Sequence, residues 1–261
     1  MIKAKKTFGQ NFLKDSSIID KIVSSIDFSD EDLIIEIGPG KGALTKLLKA
    51  RNAKVLAFEI DERMHECLDK LENERITIIY EDILKINLKS ILSKYKYRKL
   101  YVIANLPYYI TTPIIDKLIN EDIVINEMTV MVQNEVADRF CASPASRNYG
   151  MMTVLLNIKY SLKKLFIVGK NCFDPSPKVD SAVVNFKLKE SNDYMDLDMS
   201  NFKKIISLCF SHKRKTLKNN IGNENFKNIE DILLRHGFDS NVRAEEIPLN
   251  VYYEICNKLN K

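Results

Sequence analysis

The chain has 261 residues, 45% hydrophobic and 29% charged, which suffices to bury one large core and excludes wholesale disorder. Forty Lys and Arg against 35 Asp and Glu leave a formal charge of only +5, so an anionic partner must be met by local charge. No apolar run approaches the roughly 18 residues of a membrane span, and five scattered cysteines with three scattered histidines form no CxxC and no zinc-ligand cluster.

The start, MIKAKKTFGQNFLKD, is charged from Lys3 and holds no apolar signal core. The expectation is a cytoplasmic protein with reduced thiols, no metal and no membrane contact. Without a large unpaired apolar stripe, a monomer is the default. Strands are predicted at Leu33–Ile37, Lys54–Ile60, Ile76–Tyr80, Leu100–Ala104, Met128–Gln133, Leu162–Val168 and Ala182–Leu188. Several are continuous apolar runs, as in a parallel sheet covered on both faces. Amphipathic stretches such as Glu62–Leu71 and Pro113–Ile119 lie between them, the second with Thr112 as predicted N-cap. Residues 189–200 are polar and read as a linker. Strand signals then stop, and Phe202–Asn220, Asn228–His236 and Val251–Leu259 read as helices, with Gly237 a C-cap. The organisation predicted is an α/β, Rossmann-like domain over 1–188 and a small helical domain over 201–261.

Four groups of residues carry chemistry. Glu36-Ile37-Gly38-Pro39-Gly40-Lys41-Gly42 follows the first strand, where glycines let the backbone turn sharply and approach a ligand. The string fits a loose dinucleotide fingerprint, a structural turn, or another nucleoside site equally. Glu59 lies 21 residues after Gly38 at the end of the second strand, where a carboxylate can accept both ribose hydroxyls of an adenosine-containing cofactor. Asp82, in Glu81-Asp82-Ile83 after the third strand, could accept an adenine amino group. Asn105-Leu106-Pro107-Tyr108 ends the fourth strand and decides between cofactors. Hydride transfer has no use for this tetrapeptide, whereas methylation of an adenine amine does. The N6 lone pair is delocalised into the ring, and acceptors at the Asn105 side chain and the Leu106 carbonyl grow more favourable as positive charge develops there. Tyr108 can stack on the base, worth roughly 1–3 kcal/mol.

Asn-Leu-Pro-Tyr resembles the catalytic motif of S-adenosylmethionine-dependent adenine-N6 methyltransferases. Further stretches are Gly9-Gln10-Asn11-Phe12-Leu13, Phe173-Asp174-Pro175-Ser176-Pro177-Lys178-Val179-Asp180-Ser181, Phe210-Ser211-His212-Lys213-Arg214-Lys215-Thr216-Leu217 and Arg243-Ala244-Glu245-Glu246. Together, over nearly the whole chain, they resemble the small-subunit (16S) ribosomal RNA adenine N6,N6-dimethyltransferase family of the KsgA type. The resemblance implies a class I S-adenosylmethionine-dependent methyltransferase domain, with a seven-stranded mostly parallel sheet, and a C-terminal helical domain. It implies cosubstrate contacts at Asn11, Leu13, Gly38, Gly40, Glu59, Asp82 and Asn105. It makes Phe173, otherwise equally a core plug, a second stacking surface opposite Tyr108, as enzymes working on an extruded base require. The substrate implied is a pair of adjacent adenosines in a loop near the 3′ end of 16S rRNA in the 30S subunit or its precursor, each methylated twice, with a role in subunit biogenesis. No metal and no general base are needed: the sulfonium already activates the methyl group, near-attack positioning supplies several kcal/mol of the barrier, and the methylated, cationic N6 is acidic enough to lose its proton to water. The family commonly follows this motif with Asn-Ile-Ser-Thr, whereas this chain has Tyr109-Ile110-Thr111-Thr112, which alters the pocket rim.

From Met199 to Asn223 there are six basic residues, Lys203, Lys204, Lys213, Arg214, Lys215 and Lys218, and no acidic one. Lacking interspersed partners, they read as a phosphate-contacting surface that positions RNA without reading its sequence. Three other readings compete. One is an Erm-type enzyme acting on large-subunit rRNA, disfavoured by the Pro-Ser-Pro-Lys-Val-Asp-Ser and Arg-Lys-Thr-Leu runs. The others are a non-catalytic ribosome assembly factor and a nucleotide-dependent oxidoreductase.

Overall fold

The computed structural model describes residues 9–190 and 197–259. The first eight residues and half of the expected 189–200 linker, residues 191–196, lie outside that range. The chain divides into two compact units, one running to Ala137 and resuming over Lys163–Leu188, the other taking Asp138–Leu162 and everything from Lys189. The division is therefore not a single cut near residue 188, since 138–162 groups with the C-terminal helices.

The strands are β1 (Phe12–Leu13), β2 (Leu33–Ile37), β3 (Lys54–Phe58), β4 (Ile76–Ile79), β5 (Leu100–Asn105), β6 (Glu127–Gln133), β7 (Tyr160–Val168), β8 (Phe173–Asp174) and β9 (Ser181–Leu188). Seven form one sheet in the order β4-β3-β2-β5-β6-β9-β7. β2 pairs in parallel with β3 and β5, and all five of its residues are buried. That is why Leu-Ile-Ile-Glu-Ile reads as an unbroken run rather than an alternation. β9 runs antiparallel to β6, pairing Met128 with Phe186. The chain leaves β2 for β3 and β4, then returns to lay β5 on the other side. The order reverses between β2 and β5, where open α/β sheets bind ligands beyond the strands' carboxyl ends.

The first unit's helices are α1 (Ser16–Val23), α2 (Ala43–Ala50), α3 (His65–Leu68), α4 (Leu88–Leu92) and α5 (Thr111–Asn120). Asp15 caps α1 by accepting from the Ser17 and Ile18 N–H groups. The helix expected over Glu62–Leu71 is instead α3 between two 3₁₀ turns, Glu62–Met64 and Asp69–Leu71. Asp61 begins the first turn by accepting from the Arg63 N–H. α5 starts before the expected Thr112 cap, continuing a 3₁₀ turn over Tyr108–Ile110, so Pro113 still falls in the first turn where an N–H is not required. Ile22, Val23, Ile34, Leu48, Val55, Met64, Leu68 and Ile103 form the core beneath.

The remaining helices are α6 (Asn134–Phe140), α7 (Met151–Lys159), α8 (Met199–Cys209), α9 (Leu217–Ile221), α10 (Asn223–Arg235) and α11 (Leu249–Leu259). Phe202, Ile206, Phe226, Ile229, Tyr252 and Ile255 fill the second unit's core. The single helix expected over Phe202–Asn220 is broken. Arg214 takes φ +65°, incompatible with a helix, and Thr216 caps α9 through the Asn219 N–H. Asn220 donates to the Cys209 carbonyl at 2.6 Å, supplying the partner that the end of α8 lost. Gly237, at φ +80°, ends α10 as expected, with the Gly237 and Phe238 N–H groups on the Leu234 and Leu233 carbonyls.

Candidate active site

At the point where strand order reverses, a cavity of about 210 Å³ opens beyond the ends of β2, β3 and β5. Its walls include Asn11, Leu13, Gly38, Gly40, Glu59, Asp82, Asn105, Leu106, Pro107 and Tyr108, so ten of the expected site residues meet in one place. The exception is Phe173. It is 2% exposed, packed in the core through the β1–β8 pairing that sets it beside Leu13, and it does not line the cavity, although Asp174 does. In this structure its ring is packed in the core.

The glycine turn works by close approach. Gly40 has φ +58°, and a Cβ there would stand 3.1 Å from the Phe12 ring. Its N–H donates to one oxygen of Glu59 at 2.9 Å, and the Asp61 N–H donates to the other at 2.9 Å. Glu59 is 4% exposed, and burial raises its pKa against the pull of these backbone donors. The two bonds fix the carboxylate while each oxygen keeps lone-pair capacity for a further donor. Asp82 is half-buried, accepts from the Leu84 N–H at 3.0 Å and lies 3.9 Å from the Lys85 ammonium.

Asn105 closes β5. Its side-chain nitrogen donates to the Asn11 carbonyl at 3.2 Å, which orients the amide and leaves its oxygen as the acceptor. The Leu106 N–H is taken by the Met131 carbonyl at 3.1 Å, and the Thr111 hydroxyl holds the Pro107 carbonyl at 3.0 Å. Asn-Leu-Pro-Tyr is thus clamped at both ends. The Tyr108 hydroxyl meets the Ser181 hydroxyl at 2.6 Å, and burial raises its pKa, so it is a neutral phenol at pH 7. Tyr109, 55% exposed, stands on the cavity wall.

One carboxylate outside the expected set feels the charge of Glu59 without lining the cavity. Glu36 is 1% exposed inside β2, and burial first, then the charge of Glu59, pushes its pKa up to about 8. Thr45 donates to one of its oxygens at 2.8 Å, and among the described residues the other has no partner. The signal was available in the sequence: a carboxylate inside an otherwise apolar, doubly covered strand is costly and stands out. Of the basic residues in the second unit, Lys204, Lys213, Arg214, Lys215 and Lys218 are exposed, and Lys203 is half-buried. The Lys218 ammonium also sits 5.4 Å over the Phe226 ring.

A mostly parallel sheet of this order, with a glycine turn after its first long strand, an acid ending the next and a clamped Asn-Leu-Pro-Tyr at the switch point, has the fold of the S-adenosylmethionine-dependent methyltransferases. Comparison with known proteins gives the family. The profile for ribosomal RNA adenine dimethylase matches residues 1–261. The chain is 38% identical to ribosomal RNA small subunit methyltransferase A of Mycoplasma mycoides, covering 98% of this chain and 97% of that one. It is 35% identical to the protein of that name from Lactiplantibacillus plantarum, covering 100% and 91%. Among solved structures, a dimethyladenosine transferase from Plasmodium falciparum superposes with a TM-score of 0.76 at 26% identity, over 95% of this chain and 97% of that one. The 23S rRNA methyltransferase ErmE shares the fold, at a TM-score of 0.72 and 22% identity. The chain belongs to the ribosomal RNA adenine dimethylase family. Among the described residues no helix is long and apolar enough to cross a membrane.

Proposed function

We propose that the protein uses S-adenosylmethionine to dimethylate the N6 groups of two adjacent adenosines near the 3′ end of 16S rRNA, in the 30S subunit or its precursor, as a step in subunit biogenesis. The reading places it in the cytoplasm, acting as a monomer.

The cavity suits the cosubstrate. Glu59 offers a fixed, buried carboxylate for ribose hydroxyls, Gly38 and Gly40 allow close approach, and Asp82 offers an acceptor for the adenine amine. Asn11 and Leu13 would complete that wall. Bound there, S-adenosylmethionine supplies an electrophilic methyl on a sulfonium. The protein's part is to hold the target amine. Asn105 presents its side-chain oxygen because its nitrogen is tied to Asn11, and the Leu106 carbonyl is the second acceptor. Both dipoles strengthen as N6 gains positive charge. Tyr108, fixed through Ser181, offers its ring to the base and takes no proton. For Phe173 to serve as a second stacking face it must leave the core, so its part is conditional on base entry. Lys203, Lys204, Lys213, Arg214, Lys215 and Lys218 would hold RNA phosphates.

The observation that carries this reading is the convergence of Glu59, Asp82 and the clamped Asn-Leu-Pro-Tyr on one cavity. Its test is Asn105→Ala with labelled S-adenosylmethionine and unmodified small subunits. Loss of one preorganised acceptor predicts a fall in methyl transfer of about 100-fold or more with subunit binding kept. Wild-type transfer by the variant contradicts the assignment.

A further inference from the structure

The Gly9–Leu13 segment forms one side of the cavity and is held at three places. Phe12–Leu13 pairs with Phe173–Asp174, and the Asn11 carbonyl takes the Asn105 side chain. The third is Gln10. Its side-chain nitrogen donates to Asp61 Oδ2 at 2.8 Å, and its oxygen accepts from the Arg63 guanidinium at 3.4 Å.

Asp61 serves both sides of the cavity at once. Its main-chain N–H holds Glu59 at 2.9 Å, while its side chain, 2% exposed, holds Gln10 and the Arg63 guanidinium. The hydrogen bond from Arg63 brings the Asp61 pKa down to about 2, so the carboxylate is charged at any physiological pH. A charged acceptor makes the Gln10 bond stronger than a neutral one. Asp61 does not line the cavity, whereas Gln10 does, so it is the coupling of Gln10 to Asp61 that separates a positioning part from a contact of its own. What they share is the relative placement of two walls read above as touching the cosubstrate.

We propose that Gln10 and Asp61 form a latch: positioning residues that fix the Asn11–Leu13 wall against Glu59, so that the methyl-donor pocket is preformed and donor release requires the latch to open. The proposal rests on the reading of this cavity as a site for S-adenosylmethionine. The latch sets donor affinity and residence time. RNA affinity, and the transfer rate once donor saturates the site, do not depend on it.

The test is the full chain with Gln10→Ala, titrated with S-adenosylmethionine and S-adenosylhomocysteine without RNA, then assayed on unmodified small subunits. The expected result is about tenfold weaker binding of both compounds, a KM for donor raised to match, and a kcat and subunit affinity within twofold of wild type. A merely structural role would lower the melting temperature and leave the donor KM alone. Asp61→Asn keeps an acceptor for Gln10 and retains part of the affinity. In the Asp61→Asn background the further loss from Gln10→Ala is smaller than in wild type, because the two residues act through one contact. Unchanged donor affinity in Gln10→Ala overturns the latch. Failure of the unaltered protein to bind either compound overturns the reading beneath it.

Discussion

The cavity of the first unit and the basic segment of the second hold polar groups on opposite terms. In the cavity three key groups are tied down: Glu59 by two backbone N–H groups, Asn105 through its nitrogen to the Asn11 carbonyl, Tyr108 to Ser181. In the second unit Lys213, Arg214 and Lys215 stand exposed on the loop between α8 and α9, with no acidic residue from Met199 to Asn223. Groups fixed and dry at a strand end recognise by geometry and are little screened by salt. Exposed cations recognise charge, and their contribution falls as salt rises. The difference fits the proposed division of labour, chemistry in the first and docking in the second.

That contrast can be broken by exchanging the properties of each part. Glu59→Gln is the severest test, because the amide turns an N–H toward the Gly40 or Asp61 N–H, donor against donor. S-adenosylhomocysteine binding measured by calorimetry should weaken about 10- to 100-fold. Wild-type affinity would remove Glu59 from the ligand contacts. Reversing the loop charges with Lys213→Glu, Arg214→Glu and Lys215→Glu should weaken rRNA binding about tenfold at moderate salt. It should also flatten the log–log salt dependence by about 2, the share of three single-strand phosphate contacts. Donor affinity should not move, and an unchanged salt slope would end the docking assignment.

The last expected effect leaves RNA binding aside and is in stability. Glu36 ionises near 4.5 when unfolded and at about 8 in the fold. Between those values the native state holds a proton that the unfolded chain has lost, so stability declines as pH rises across that window and levels off above it. Glu36→Gln removes the ionisation while keeping an acceptor for Thr45. Its melting temperature should gain on wild type by on the order of 10 °C more at pH 8 than at pH 5. An equal offset at both values would show that Glu36 does not titrate in the window.

Much of this architecture was legible in the sequence because the sheet is covered on both faces. Leu33–Ile37 and Leu100–Ala104 appear as apolar runs at their observed places, with glycines or Asn-Leu-Pro-Tyr directly after them. Two-residue strands carry no periodicity, so the β1–β8 pairing had no signature, and with it went the burial of Phe173. Helix ends depended on single residues: Arg214 in the left-handed region and the Asn220 cap broke a stretch whose composition reads as continuous helix. The Gln10–Asp61 contact joins residues 51 apart through side chains alone, a link that only the folded chain reveals.

The most direct test of the central claim offers labelled S-adenosylmethionine with purified small and large ribosomal subunits from cells lacking these modifications, and maps the product by reverse transcription. N6,N6-dimethyladenine cannot pair and halts the polymerase. The account predicts label approaching four methyl groups per small subunit, with a stop at adjacent adenosines near the 3′ end of 16S rRNA. Label confined to the large subunit, or tight small-subunit binding without transfer, would contradict it.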